Sequence, residues 1–239
     1  MQKLSVVIPA YNEGERIEKT LFAVGGFLSK QQYDYEILVV NDGSKDTTAE
    51  VVQRTIPQIK NMRLIDNKVN QGKGGVVQQG MLAAVGDIRV FMDADNSTKI
   101  DEIAKFLPYF DQGFDLVVGS RRIPGAHVPK DQDALREFEG WVFREMVHLA
   151  VPVGVTDTQC GFKAMTAKAA ELIFPKQTIF RWAFDVEILA LARKYHQVIK
   201  EVPITWINDE GTHVKLSGKI KMLQEVAQVR INLWLGKYK

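Results

Sequence analysis

The sequence predicts an α/β protein: an open, doubly wound, mostly parallel sheet flanked by helices. Three observations predict it. Short β-branched runs alternate with helical patterns four times over about the first 95 residues. Three of those runs end in polar turns, Pro9–Gly14, Asn41–Ser44 and Asp93–Thr98. The 239 residues are 46% hydrophobic and 25% charged, which suits one soluble domain with a sizeable core.

Leu4-Ser5-Val6-Val7-Ile8 reads as a buried strand stopped by Pro9. Asn12 followed by Glu15 resembles a helix cap with its capping-box partner, and Ile17, Leu21, Val24 and Leu28 recur at helical spacing behind it. Tyr35–Val40 is a second strand, and Ser44 is placed to cap a helix running to about Arg54. Met62–Asp66 is a third strand and Gly72–Val85 a third helix, with Val77, Met81 and Ala84 on one face. Ile88–Met92, a fourth strand, runs straight into Asp93-Ala94-Asp95. Asp115–Ser120 is a fifth.

The alternation then loosens. Arg121–Phe138 reads as a loop, a lid or an acceptor loop. Trp141–Val151 is helical, Thr156–Lys163 a polar turn, Ala183–Tyr195 a helix and Val198–Trp206 a strand. Ser217–Leu235 is a broad amphipathic helix with Ile220, Leu223, Ala227, Ile231 and Trp234 in phase.

A net charge of +2 carries no electrostatic footprint for nucleic acid. From Thr212 onward, however, six Lys or Arg face one acid, Glu225. A single cysteine, Cys160, excludes an intrachain disulfide and points to a reducing compartment. No stretch approaches ~20 consecutive apolar residues and no secretory signal is visible, so the expectation is a cytoplasmic protein.

In such sheets ligands bind beyond the carboxyl ends of the strands, where the polar turns lie. Asp93 and Asp95 are hard oxygen donors at a strand end, suited to Mg²⁺ or Mn²⁺ on a diphosphate if the chain turns there; capping the next helix is the other reading. Asp42 is able to accept from a base N–H, or to close an Asx-type turn before Gly43. Gly72, Lys73 and Gly74 open a helix whose N-terminus attracts anions, with Lys73 adding a point charge; the P-loop spacing is absent. Arg121 and Arg122 suit phosphate. Lys163 sits in Asp157-Thr158-Gln159-Cys160-Gly161-Phe162-Lys163, a run too polar for a plain connection, in which Cys160 reads as a small packing residue.

Taken together, Val6-Val7-Ile8-Pro9-Ala10-Tyr11-Asn12-Glu13, Val39-Val40-Asn41-Asp42-Gly43-Ser44, Asn70-Gln71-Gly72-Lys73-Gly74 and Asp93-Ala94-Asp95 resemble family 2 glycosyltransferases. Asp157–Lys163 and Arg181-Trp182-Ala183-Phe184-Asp185-Val186-Glu187 are similar to the dolichyl-phosphate β-glucosyltransferase branch of that family. The resemblance implies a GT-A fold and an inverting transfer of glucose from a UDP-sugar to a polyprenyl or dolichyl phosphate. It implies that Pro9, Tyr11, Glu13 and Asp42 hold the uridine and that Asp93 reaches the ribose or the metal's waters. Asp95 would ligate Mg²⁺ or Mn²⁺, Arg121 and Lys163 would meet phosphate, and Asp157 and Gln159 would line the acceptor end. One domain over 1–239 follows: a nucleotide-sugar half (1–120), an acceptor half (121–211) and a basic amphipathic helix (212–239) that could touch the cytoplasmic face of a membrane.

Two alternatives stay open. A glycan hydroxyl acceptor would need a base, for which Asp185 or Asp157 is the candidate, whereas a phosphate acceptor is already an oxyanion. A non-catalytic nucleotide-sugar scaffold would have less use for Asp93 and Asp95.

Overall fold

A computed structural model describes residues 2–128, 144–207 and 216–239. Among these, seven strands form one sheet: β1 Leu4–Ala10, β2 Tyr35–Asp42, β3 Met62–Asn67, β4 Ile88–Met92, β5 Leu116–Ser120, β6 Phe162–Thr166 and β7 Ile199–Pro203. Their order is β3-β2-β1-β4-β6-β5-β7. All neighbours pair in parallel except β6, which runs antiparallel between β4 and β5. The helices are α1 Ile17–Leu28, α2 Thr48–Thr55, α3 Lys73–Ala83, α4 Leu107–Asp111, α5 (described over 144–150), α6 Ala167–Ile173, α7 Phe184–Lys194 and α8 Leu216–Trp234.

Period-two alternation puts a core on each face of the sheet. Val6 and Ile8 of β1 face α1 and α2, where Ile17, Leu21, Val24 and Leu28 are fully buried. Val7 faces the other core, with Val76, Val77 and Met81 of α3, Phe184 of α7, and Val226 and Val229 of α8. Each fully buried aliphatic side chain contributes roughly 1.5–3 kcal/mol of transfer free energy, so the helical stripe of α1 alone anchors that layer.

Several local expectations are corrected. Asn12 and Glu15 do not cap α1: the helix starts at Ile17 without a side-chain cap. Asn12 is instead in a left-handed conformation, φ 55°, and spans to the next loop. Its N–H donates to Ser44 Oγ at 2.9 Å and its Oδ1 accepts from Lys45 N at 2.9 Å. Ser44 likewise caps nothing; α2 begins at Thr48, whose N–H donates to Asp46 Oδ1. These side chains tie the loop after β1 to the loop after β2. Phe162 and Lys163 belong to a strand, β6, rather than to a polar turn, and α6 follows it. The strand expected over Val198–Trp206 shortens to β7. Residues 129–138 of the expected loop and 141–143 of the expected helix lie outside the described residues.

Because β1 to β4 are parallel, their carboxyl ends share one edge, and the antiparallel β6 begins at that edge. This brings the loops after Ala10, Asp42 and Met92 to the residues just before Phe162. No helix among the described residues is long and apolar enough to cross a membrane.

Candidate active site

A cleft of about 410 Å³ opens at this edge, lined by Pro9 at the end of β1 with Tyr11 and Glu13 after it, Asp42 as the last residue of β2, Gly72 and Lys73 at the start of α3, and Asp93 and Asp95 after β4. Every residue expected from the first half to bind nucleotide is in that lining.

The chain turns where the acids need it to. The extended run ends at Met92 and the chain turns at Ala94 and Asp95, so Asp93 and Asp95 both line the cleft instead of facing opposite sides of a strand. Thr20 Oγ1 of α1 donates to the carbonyl of Ala94 at 2.7 Å and pins the turn from below. Asp95 Oδ1 accepts from Ser97 N at 2.9 Å and closes a local turn; the next helical segment, Ile100–Lys105, starts without a side-chain cap, so neither acid caps it, and an ionised carboxylate keeps acceptor capacity beyond one bond. Lys73 Nζ lies 2.5 Å from Asp93 Oδ1. Burial works against the ammonium, but Asp93 and then Asp185 hold Lys73 above the usual lysine range. Gly161 packs against Asp93. A Cβ built there would stand 2.0 Å from Asp93 Oδ2, so any side chain at this position would push the carboxylate aside.

Asp42 does not project freely. Its carboxylate accepts from Gln71 N at 2.6 Å, Gly72 N at 3.1 Å and Asn70 Nδ2 at 2.9 Å. It therefore shapes the loop that opens α3. Burial nonetheless pushes its acid up, against the lowering effect of those amides. Gly72 has φ 87°, and a Cβ there would meet Phe180 O at 2.4 Å, so the loop passes directly against the segment before α7. Glu13 pairs with Arg16, and its N–H donates to Thr48 Oγ1 at 2.8 Å.

The second half departs from expectation at the cations. Lys163 does not face the cleft. Its side chain is fully buried, and Nζ donates to Asp185 and to the Cys160 carbonyl. Arg121 is gripped by Asp157, Nε to Oδ2 at 2.7 Å and Nη2 to Oδ1 at 2.9 Å, with its guanidinium over Trp206. Asp157 is only 4% exposed, and despite burial the Arg121 pairing holds its acid down at about 2. Asp157 N in turn donates to Glu201 Oε1 at 2.9 Å. Gln159 Nε2 lies 3.3 Å from Met222 Sδ of α8. Cys160 is buried and its thiol is pushed up to about 12 by that burial, which fits a packing residue.

Two cleft residues come from beyond residue 120: Arg181 and Trp182. In the sequence both stand only within a family motif, with no role assigned to either, and Trp182 is 42% exposed. The signal was present in the run Arg181–Glu187, whose polar start sits immediately before a buried helix.

The donor set suits a hard divalent cation. Asp93 and Asp95 are carboxylates on an open cleft, and no group of three acidic, His or Cys side chains able to hold an ion exists among the described residues. A bound ion would take its other ligands from diphosphate and water, as Mg²⁺ commonly does.

Residues 5–174 match the family model described as Glycosyl transferase family 2. A dolichyl-phosphate beta-glucosyltransferase of Trichomonas vaginalis is 38% identical over 98% of this chain and 73% of its own length. That of Dictyostelium discoideum is 36% identical over 99% and 76%, and that of Homo sapiens 31% over 100% and 78%. Among solved structures, glucosyl-3-phosphoglycerate synthase from Mycobacterium tuberculosis in complex with UDP is similar with a TM-score of 0.71 and 20% identity, covering 97% of this chain and 79% of that one. The same enzyme with Mn²⁺, UDP and glucosyl-3-phosphoglycerate gives a TM-score of 0.69 at 20% identity, with the same coverage. At that identity the likeness is one of fold.

Proposed function

Since the chain belongs to glycosyl transferase family 2 and carries the GT-A fold, we propose that this glycosyltransferase moves glucose from UDP-glucose to a polyprenyl phosphate of the dolichyl type, inverting the anomeric carbon. The observation that carries the reading is the 31–38% identity, over nearly the whole chain, to proteins named for that reaction.

In this reading Pro9, Tyr11, Glu13 and Asp42 take the uridine, and Gly72 and Lys73 the diphosphate. Asp95, with Asp93, would hold Mg²⁺ or Mn²⁺, which offsets charge growing on the leaving UDP. Lys73 supplies a second positive charge at the same place. It is already oriented by Asp93, so little reorganisation is needed as the leaving group departs.

An acceptor phosphate attacks C1 without surrendering a proton, so no general base is required. The state of Asp185 supports this choice: it is 5% exposed and ion-paired with Lys163, a poor position for receiving a proton from a hydroxyl. Lys163 and Arg121, each held by a carboxylate, set the field beneath the acceptor end. Arg181, exposed on the donor cleft beside Gly72 and Lys73, would contact the diphosphate of UDP-glucose. Residues 1–120 thus supply most of the donor site, while Arg181 and Trp182 come from the half assigned to the acceptor.

The reading includes peripheral contact with a membrane through α8, which has two apolar faces. Val226 and Val229 are buried in the protein, whereas Ile220, Ile231 and Trp234 are 52%, 45% and 82% exposed. At 100° per residue these three share one outer stripe, with Lys221 on one side and Arg230 on the other. That composition suits an anionic interface.

The test is a panel of UDP-glucose, other UDP-sugars and GDP-mannose, each with polyprenyl phosphate or free sugars, reading nucleotide release. Release only with UDP-glucose and polyprenyl phosphate supports the proposal. Release with free sugars in its place contradicts it.

A further inference from the structure

The exposed wall of the cleft, Phe180 to Trp182, has little burial to hold it: Phe180 is 45% exposed and Trp182 42%. What fixes it is backbone hydrogen bonding at both ends. At the front, the Glu187 carboxylate accepts from Thr178 N at 3.0 Å and Ile179 N at 2.8 Å. In the middle, Gly75 N of α3 donates to Phe180 O at 3.1 Å. At the back, Glu225 Oε2 of α8 accepts from Trp182 N at 3.1 Å and Ala183 N at 2.9 Å.

The last of these grips has a clear physical reason. The first amides of a helix have no partner within it. Ala183 stands at the N-cap of α7 and carries no side chain able to accept from them. Glu225, from a helix 43 residues along the chain, supplies the missing acceptor with a full negative charge at the positive end of α7. The front grip also returns to the C-terminal segment. Tyr238 Oη donates to Glu187 Oε1 at 2.6 Å, and Asn232 Nδ2 to Thr178 Oγ1 at 3.1 Å.

We infer that Glu225 is a positioning residue for the reaction: through it, the C-terminal helix sets where Arg181 and Trp182 stand over the donor cleft. This rests on the reading of that cleft as the nucleotide-sugar site. Glu225 touches no substrate; its effect passes through the Trp182–Ala183 backbone. It also accounts for the one acid in a segment otherwise basic from Thr212 onward.

The experiment uses the full chain and compares wild type with Glu225→Ala, Glu225→Gln and Glu225→Asp, and with Gln224→Ala, an exposed neighbour on α8, as control. Binding of UDP with Mg²⁺ is measured by calorimetry, and KM for UDP-glucose and for the lipid acceptor by steady-state transfer. Expected for Glu225→Ala is a roughly tenfold rise in the UDP Kd and in the donor KM, with the acceptor KM unchanged. Glu225→Gln, whose amide oxygen still accepts, restores most of the affinity. Glu225→Asp, which keeps the charge but withdraws it by one methylene, loses affinity as Ala does, and decides the matter should the Ala variant not fold. Wild-type affinity in Glu225→Ala or Glu225→Asp overturns the inference. Absence of UDP binding by wild type overturns the donor reading itself, and the inference with it.

Discussion

Lys163 of β6 and Asp185 of α7 form an ion pair inside the protein, the lysine side chain fully buried and the carboxylate side chain 7% exposed. Burial raises the Asp185 acid, and Lys163 followed by Lys73 pulls it back, with a net upward result. Such a pair costs much when half of it is removed, because the survivor is left as an uncompensated buried charge. Lys163→Met and Asp185→Leu should each destabilise the protein by about 3–5 kcal/mol. The double substitution should cost less than the two singles together. Denaturant unfolding of the four proteins checks this, and additive losses would mean that the two groups are not coupled.

The close approach of Gly161 to Asp93 makes a separate prediction. The smallest side chain there would lie 2.0 Å from Asp93 Oδ2, so Gly161→Ala must displace the carboxylate. Gly161 itself is partly exposed and lies at the rim, so the protein should fold. Transfer should fall on the order of 100-fold, as when a preorganised electrostatic group is misplaced. The apparent affinity for Mg²⁺ or Mn²⁺ should weaken with it. Unchanged metal dependence of the rate would detach Asp93 from the metal.

Arg121 and Asp157 predict a pH effect. The Asp157 acid ordinarily titrates near 3.8 and is held at about 2 in the folded protein. The stabilisation is therefore complete above the ordinary value and is lost as pH falls through it towards 2. A shift of about two units corresponds to roughly 2–3 kcal/mol. Between pH 6 and pH 3, wild type should lose more stability than Asp157→Asn, which has no carboxylate to protonate and begins lower. Parallel curves for the two proteins would refute this account of the pair.

The outer stripe of α8 is tested by flotation with vesicles. Protein should bind anionic vesicles at low salt and release as salt rises, each basic residue near the surface contributing roughly 1 kcal/mol. Trp234→Ala, at an 82% exposed position, should weaken binding without lowering the melting temperature. Wild-type protein that stays unbound at low salt would leave this face to another purpose.

Much of this was legible in the sequence because pattern and physics agreed in the first half. Val6 to Ile8, Ile37 to Val40 and Ile88 to Met92 read as strands and are strands. Their polar turns stand where parallel strands deliver them, and Asp42, Lys73, Asp93 and Asp95 share a cleft for that reason. Strand β6 was hidden because a buried strand normally advertises itself by apolar residues, and Lys163 interrupts this one. Its charge is tolerated only because Asp185, 22 positions away, is brought against it. The same long-range pairing explains why Lys163 and Arg121 looked like phosphate ligands: a cation's partner across the fold is invisible to spacing. Asn12 and Ser44 misled for a related reason. They carry the cap residues of helices but spend their hydrogen bonds on each other's loops.

The most direct test of the central claim is product analysis after incubating the protein with UDP-glucose, Mg²⁺ or Mn²⁺ and dolichyl phosphate. The account predicts a β-linked glucosyl phosphate lipid and released UDP. Formation should stop reversibly in EDTA and be nearly abolished by Asp95→Asn, whose melting temperature should stay within about 2 °C of wild type because the residue sits on the cleft and not in the core. A product that carries glucose on a sugar hydroxyl, or full activity in EDTA and in Asp95→Asn, would contradict it.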